Sequence, residues 1–354
     1  MGSFSTRHVA LAALMTTAVI AGCSNDEKAA TPSTTTSTST TSEATTTTGS
    51  TEAPVVGPAA PLTGQPAPDA SKLGRPALAL KIDNSPEALP QSGINNSDMV
   101  LEIQVEGISR LMAVFHSQDA EKVGPTRSAR YSDPDLLALF VKPLFGWSGA
   151  NEGVTATVER TPWVKNVNWN VAPKLYYRSS EKRIPHNLFT NTNSLFPLAD
   201  AGEPAPVPIF DYLSTGESNP GSSPLAGFGL AVGGTNSQWV WDGSQNRYLR
   251  WEYNRVHATN SGQAWADNVV ILQTRYLKGP IAISTGSGRA WVMTGGTVVE
   301  GTWKRDDRTQ RYTLTTPEGA PLKLTPGRTW IELPPGAPAA MSPESASGLL
   351  AGAK

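Results

Sequence analysis

The residues able to do chemistry fall in three short stretches. The sharpest is Val123-Gly-Pro-Thr-Arg-Ser-Ala-Arg130, which sets Arg127 and Arg130 three apart, just before a helix start at Ser132-Asp133-Pro134-Asp135. Two forked guanidinium groups at such a place can hold a carboxylate or a phosphate. They can equally pair with acids of the chain itself, and Asp83, Glu102, Glu106 and Asp133 are the candidates. The second stretch is Ile184-Pro-His-Asn-Leu-Phe189. His186 is a possible general acid or base; alternatively it anchors a loop through hydrogen bonds. The third is the acid set Asp83, Glu102 and Glu106. Paired carboxylates hydrolyse a glycosidic bond when held at the right separation. Glu102, on a strand pattern, can instead pair with Arg110 or Arg127.

Other signatures fail. Trp147-Ser148-Gly149 is not a nucleophile elbow, because one glycine is misplaced. Ser179-Ser-Glu-Lys182 has a Ser-x-x-Lys spacing without its Lys-Thr-Gly companion. No Walker loop or dinucleotide fingerprint occurs. The single cysteine, Cys23, excludes an intramolecular disulfide, a Cys-ligated zinc and Cys–His catalysis. With four histidines and none at ligand spacing, no metal and no cofactor are expected.

Elements must position these groups. Pro76 to Asp83 reads as a buried strand ending in Asp83-Asn84. Asp98 to Val105 and Ser109 to His116 read as a hairpin turning at Glu106-Gly107. A helix follows, with Asp133 as its cap and Pro134 in its first turn, and Pro143 ends it. Leu144 to Ser148 reads as a strand, Asn151 to Arg160 as a helix, and a further helix starts near Asn191. From Gln238 the pattern is strand–turn–strand, through Trp239–Trp241, Tyr248–Tyr253, Val269–Tyr276, Ala290–Met293, Val298–Lys304, Arg311–Thr315 and Thr329–Leu333. Seven of ten tryptophans lie between Trp239 and Trp330. They can serve as sugar platforms, but in a β-rich domain most large aromatics are core.

The chain has 354 residues and a net charge of −1, which gives no reason to expect nucleic acid binding. The apolar run Val9 to Ala21 has signal-peptide length, and it closes on Ile20-Ala21-Gly22-Cys23, a pattern resembling a bacterial lipobox. That implies cleavage before Cys23 and lipidation there, giving an extracytoplasmic protein anchored to the membrane by lipid alone. Between Thr31 and Thr51, 17 of 21 residues are Ser or Thr, too polar to pack a core. The expected division is therefore a signal peptide at 1–22 and a lipidated, disordered stalk at 23–71. A mixed α/β domain at 72–215, a linker at 216–237, a β-rich domain at 238–335 and a flexible tail at 336–354 follow. The fold class is α+β, with a mixed α/β N-terminal half, a β-rich C-terminal half and a layered sandwich architecture.

Several motifs carry a family resemblance: Arg75-Pro-Ala-Leu-Ala-Leu-Lys-Ile-Asp-Asn84, Leu89-Pro-Gln-Ser-Gly93, Ser97 to Gly107, Val123 to Arg130, Pro185-His-Asn-Leu188, His257-Ala-Thr-Asn-Ser-Gly262 and Pro326-Gly-Arg-Thr-Trp-Ile331. In this order they resemble the YerB-like lipoproteins, the family of domain of unknown function 3048, over roughly residues 75 to 335. The resemblance implies a bacterial surface lipoprotein of mixed structure and supplies no reaction. The expected function is non-enzymatic: a binding or scaffold protein for a cell-wall component or a wall-synthesis protein, acting through the N-terminal half. Arg127 and Arg130 would hold an anionic group, and Asp83, Asn84, Glu106, His186 and Asn187 would line the site. The alternative is a wall glycan hydrolase using Asp83 and Glu106.

Overall fold

The computed structural model describes residues 57–353. The signal segment, Cys23 and the Ser/Thr tract lie outside the described residues. One sheet of eleven strands runs through the body. Its N-terminal part contains β1 (Leu78–Ile82), β2 (Met99–Gln104), β3 (Ser109–Phe115), β4 (Leu144–Gly146) and β5 (Lys165–Asn166). Every residue of β1, β3 and β4 is buried, as suits strands covered on both faces. Strands from the C-terminal half continue the same sheet, with Thr329–Leu333 pairing in parallel with β2 and with Asn268–Leu272. Gly286–Thr294, Thr297–Arg305 and Thr313–Thr315 extend it outward. The two halves are thus joined across β2 into one sheet.

Side-chain alternation splits the core in two. On one face Ala79, Leu101, Met112, Val270 and Ile331 pack against Leu136, Leu137, Phe140, Val154 and Val158. Those come from α1 (Asp133–Leu137), the turn after it and α2 (Glu152–Glu159). Asn151 caps α2 by accepting from Val154 N at 2.9 Å. On the other face Leu80, Val100, Leu111, Val269 and Trp330 pack against Phe228, Leu230, Trp239 and Tyr248 of a second, six-stranded sheet. The fold is α+β, layered, with a β-rich C-terminal half.

Four boundaries differ from the sequence reading. Residues 57–71, assigned to the stalk, pack on the body: Ala60 and Leu62 are buried, and Thr63 O accepts from Gly327 N at 2.7 Å. The linker at 216–237 contains the strand Gly227–Val232 and the start of Thr235–Asp242, both in the second sheet. The tail at 336–354 is structured, because Ala339–Ala340 pairs with Gly227–Val232 and the helix Pro343–Gly352 covers Val240, Leu249 and Trp251. Asp133 is the first residue of α1 rather than its cap; Ser132 takes the cap position and makes no side-chain cap bond. A chain begun at Lys72 would lose Leu62 from the core. We expect that to cost at least about 1.5–3 kcal/mol, the worth of one fully buried leucine, read as a lowered urea midpoint against a chain begun at residue 57.

Candidate functional site

Three segments lie side by side at the end of β1. Asp83 N donates to Pro125 O at 2.9 Å and Arg127 N to Lys81 O at 2.9 Å, so the stretch 123–130 runs along the strand's continuation. Thr126 N in turn donates to Leu188 O at 2.7 Å, and Val123 bridges Thr190. Gly124 makes this approach possible. Its φ is +147°, and a Cβ there would meet Leu188 O and Phe189 Cδ1 at 2.8 Å. His186 sits in the loop just before the strand Leu188–Thr190 and is thereby brought to Asp83, 103 residues away in the chain.

Asp83 is the hub. Its carboxylate is buried, with Oδ2 2.7 Å from His186 Nδ1 and 3.2 Å from Arg127 Nε. The Arg127 contact is an ion pair without hydrogen-bond alignment, since that Nε has no hydrogen-bond partner. Ser85 N donates to Asp83 Oδ1 at 3.2 Å, and Ser85 Oγ lies 3.1 Å from the same His186 nitrogen. An acceptor carboxylate at Nδ1 favours the tautomer with its proton there. Beside this group is a cavity of about 460 Å³ lined by His186 with Glu87, Leu89, Lys182, Arg183 and Ile184. Burial lowers the Lys182 pKa, and its Nζ donates to Leu89 O at 2.7 Å.

The other expected site residues divide. Arg130 pairs with Glu106, through Nε at 2.8 Å and Nη2 at 2.7 Å. Burial pushes the Glu106 carboxyl up, but the Arg130 hydrogen bond, a backbone bond and nearby positive charge outweigh it and hold the carboxyl below its usual range. Asn84 is a correction: its side chain turns into the buried space between the sheets, donating to Ser109 Oγ at 2.8 Å and accepting from Gln91 Nε2 at 3.0 Å. Asn187 is another. Its side chain accepts from Arg178 Nη1 at 2.7 Å and donates to Ser179 O at 3.2 Å, which ties it to the neighbouring turn. Glu102 pairs with neither Arg110 nor Arg127, but with Arg250 Nη2 at 2.7 Å.

That contact belongs to a network the sequence did not single out. Arg250 also donates to Glu252 Oε2 at 2.6 Å and to His257 Nδ1. His257 Nε2 then lies 2.5 Å from Gln91 Oε1, and Gln91 Nε2 donates to Asp83 O at 3.1 Å. Burial, then the Arg250 charge, holds the His257 pKa well below the ordinary imidazole value, so the ring is neutral and Nε2 carries the proton. Glu332, directly opposite Glu102 in the parallel pair, accepts from Trp239 Nε1 at 3.0 Å. The motifs holding Gln91, Glu102 and His257 were visible in the sequence, without indicating that they meet.

The C-terminal tryptophans are mainly core: Trp239, Trp251, Trp291, Trp303 and Trp330 are buried. A hollow of about 500 Å³ is lined in part by Trp291 and Phe228, but both side chains are buried and leave little ring surface for a sugar. Among the described residues no group of three His, Cys, Asp or Glu could hold a metal ion, and no helix is long and apolar enough to cross a membrane.

Comparison with known proteins adds a family and a fold. Residues 62–203 match the profile described as "Protein of unknown function (DUF3048) N-terminal domain", and residues 230–331 match the DUF3048 C-terminal domain. A protein of Bacillus subtilis (strain 168) named "Putative lipoprotein YerB" is 27% identical over 297 residues, which is 78% of this chain and 86% of that protein. The crystal structure of YerB protein from Bacillus subtilis superposes with a TM-score of 0.67 at 23% identity, covering 79% of this chain and 97% of that chain.

Proposed function

The chain belongs to the DUF3048 family, and from that premise we propose that it is a lipid-anchored protein of the bacterial cell envelope that binds a cell-wall component without turning it over. Its likeness to a lipoprotein supports reading Cys23 as the lipidated residue. The observation that carries the binding role is the Asp83–Arg127–His186 cluster, which brings three chain segments together beside an open cavity. Two of these groups are partly accessible, Arg127 at 27% and His186 at 18%. Arg127 is held at an angle to Asp83 and keeps nitrogens free for an anionic group on the ligand.

The geometry weighs against the hydrolase alternative. A glycosidase needs one carboxyl whose pKa is raised, to protonate the leaving group. Glu106 is held low by Arg130, and Asp83 is engaged by both His186 and Arg127. The test is co-sedimentation of the purified chain with cell-wall sacculi. The parent is expected in the pellet, and the Arg127→Ala/Arg130→Ala variant should bind more weakly by about tenfold or more, since one charged hydrogen bond is worth at least about 1.5 kcal/mol. A parent that stays in the supernatant would rule out a wall ligand and turn the search to envelope proteins.

A further inference from the structure

Arg110 is the second residue of β3 and is 5% exposed, yet its Nε and Nη1 have no hydrogen-bond partner. Burial pushes its pKa down to about 10; the charges acting on it are Asp83, Arg130, Arg127 and Glu106. Both acids are already engaged, Asp83 by His186 and Arg127, Glu106 by Arg130. The β1–β3 register, with Ile82 opposite Leu111, sets Arg110 across from Asp83 at the strand end along which the 123–130 stretch runs, so three guanidiniums share two carboxylates. A buried, partly unpartnered guanidinium is costly, and an anion is the group that would satisfy it.

We propose that Arg110, Arg127 and Arg130 form a receptor for a phosphate group carried on the ligand as an ester or diester, with Glu106 as its internal stand-in. The inference rests on the binding role proposed above and names the group that is bound. Glu106 lies at the β2–β3 turn with its side chain 61% exposed, and one of its oxygens takes both Nε and Nη2 of Arg130. An incoming oxyanion would use the same fork. Glu106 is the exposed member of the pair, with the Arg130 side chain only 19% exposed, so the carboxylate can swing out to water and leave the fork in place. Three guanidiniums arriving from a strand end and a loop offer more donors than a carboxylate has oxygens to accept, and this favours a tetrahedral oxyanion.

Inorganic phosphate is the probe, added to the purified full chain at constant ionic strength, with acetate as the carboxylate control. Calorimetric titration should show phosphate binding and at least roughly tenfold weaker acetate binding. Glu106→Gln, on an exposed turn where folding is safe, should tighten phosphate binding about three- to tenfold by removing the competitor. Arg110→Met should abolish binding while leaving the melting temperature in phosphate-free buffer unchanged or raised. Equal affinity for acetate, weaker binding in Glu106→Gln, or a sharp loss of stability in Arg110→Met without phosphate would each overturn the proposal. Sacculi stripped of phosphodiester polymer and anionic phospholipid vesicles, run as separate arms, distinguish a wall source of the phosphate from a lipid headgroup. Phosphate binding without sedimentation on sacculi would refute the wall ligand and leave the receptor standing. Sedimentation without phosphate binding would do the reverse.

Discussion

Arg250→Met is expected to lower the free energy of unfolding by about 3–5 kcal/mol, because it strands Glu102 and Glu252 between the two sheets without a cation. All three side chains are fully buried. Burial alone would push the Arg250 pKa down, but the charges of Glu102, Glu252 and Glu332 outweigh it and raise it, so the guanidinium stays charged. Glu332 is the fourth member and behaves differently. Burial, then the charge of Glu102, raises its pKa well above the ordinary carboxyl value, which favours its protonated form beside Glu102. A raised folded-state pKa gives stability that is full below the unfolded-state pKa and is lost as pH rises through the folded one. Glu332→Gln keeps the shape of the side chain and its acceptor for Trp239 Nε1, and removes that titration. Its stability should match or exceed the parent's at neutral pH, and its margin should widen as pH rises. Urea unfolding of parent, Arg250→Met and Glu332→Gln from pH 5 to 9 checks both claims. A cost below about 1 kcal/mol in Arg250→Met would mean that the carboxylates find protons or water when the cation is gone.

This network was hidden from the sequence for a definite reason. Glu102 and Glu332 look like ordinary charged positions on two strands 230 residues apart. Only the parallel pairing of β2 with Thr329–Leu333 places them opposite each other. Arg250 lies on a strand of the second sheet, and no local pattern marks a strand charge as facing inward. The N-terminal elements were legible because their signals are local. The hairpin turns near Glu106-Gly107, α2 starts after Asn151, and the helix after Asn191 is capped by that residue, whose Oδ1 accepts from Ser194 N at 2.7 Å. The pairings Arg127–Asp83 and Arg130–Glu106 were among the alternatives open from the sequence. Arg110, by contrast, entered the sequence reading only as a candidate partner of Glu102, since lacking a partner is a property of packing alone.

Composition misled at the edges of the body. Residues 57–71 and 216–237 are rich in proline, glycine and small polar residues, the ordinary marks of linkers. Packing overrides this where one large residue finds a core. Leu62 does so in the first segment, and Phe228 and Leu230 do so in the second. Gly229 lies on the same strand; in a paired strand, a glycine takes its conformation from the ladder on either side. The terminal helix was missed for a similar reason. Its sequence is small and weakly apolar, yet Ser342 caps it by accepting from Ser345 N at 3.2 Å, and its apolar side chains close the outer face of the second sheet.

The second large effect concerns Lys81 and Asp133, which tie β1 to α1. Both side chains are completely buried, with Nζ 2.6 Å from Oδ1, and Asp133 Oδ2 accepts from Arg130 N at 2.7 Å. Asp133→Ala is expected to cost about 3–5 kcal/mol at pH 7, because it leaves Lys81 a buried cation whose other charged neighbours, Arg110 and Arg130, are also positive. Burial pushes the Lys81 pKa down to about 8 even with Asp133 opposing the shift. A depressed lysine binds fewer protons folded than unfolded, so stability rises as pH climbs from about 8 toward the unfolded-state value. Removing Asp133 depresses Lys81 further, and above that range the amine is neutral in parent and variant alike. The deficit of Asp133→Ala should therefore shrink between pH 7 and pH 10, measured by urea unfolding at both ends. Lys81→Met/Asp133→Leu removes both charges and should recover most of the loss. If the double variant is as unstable as the single one, the lost interaction is the hydrogen bond to Arg130 N. That outcome would also bear on binding, because this bond fixes the end of the 123–130 stretch, and with it the direction from which Arg127 and Arg130 approach Asp83 and Glu106.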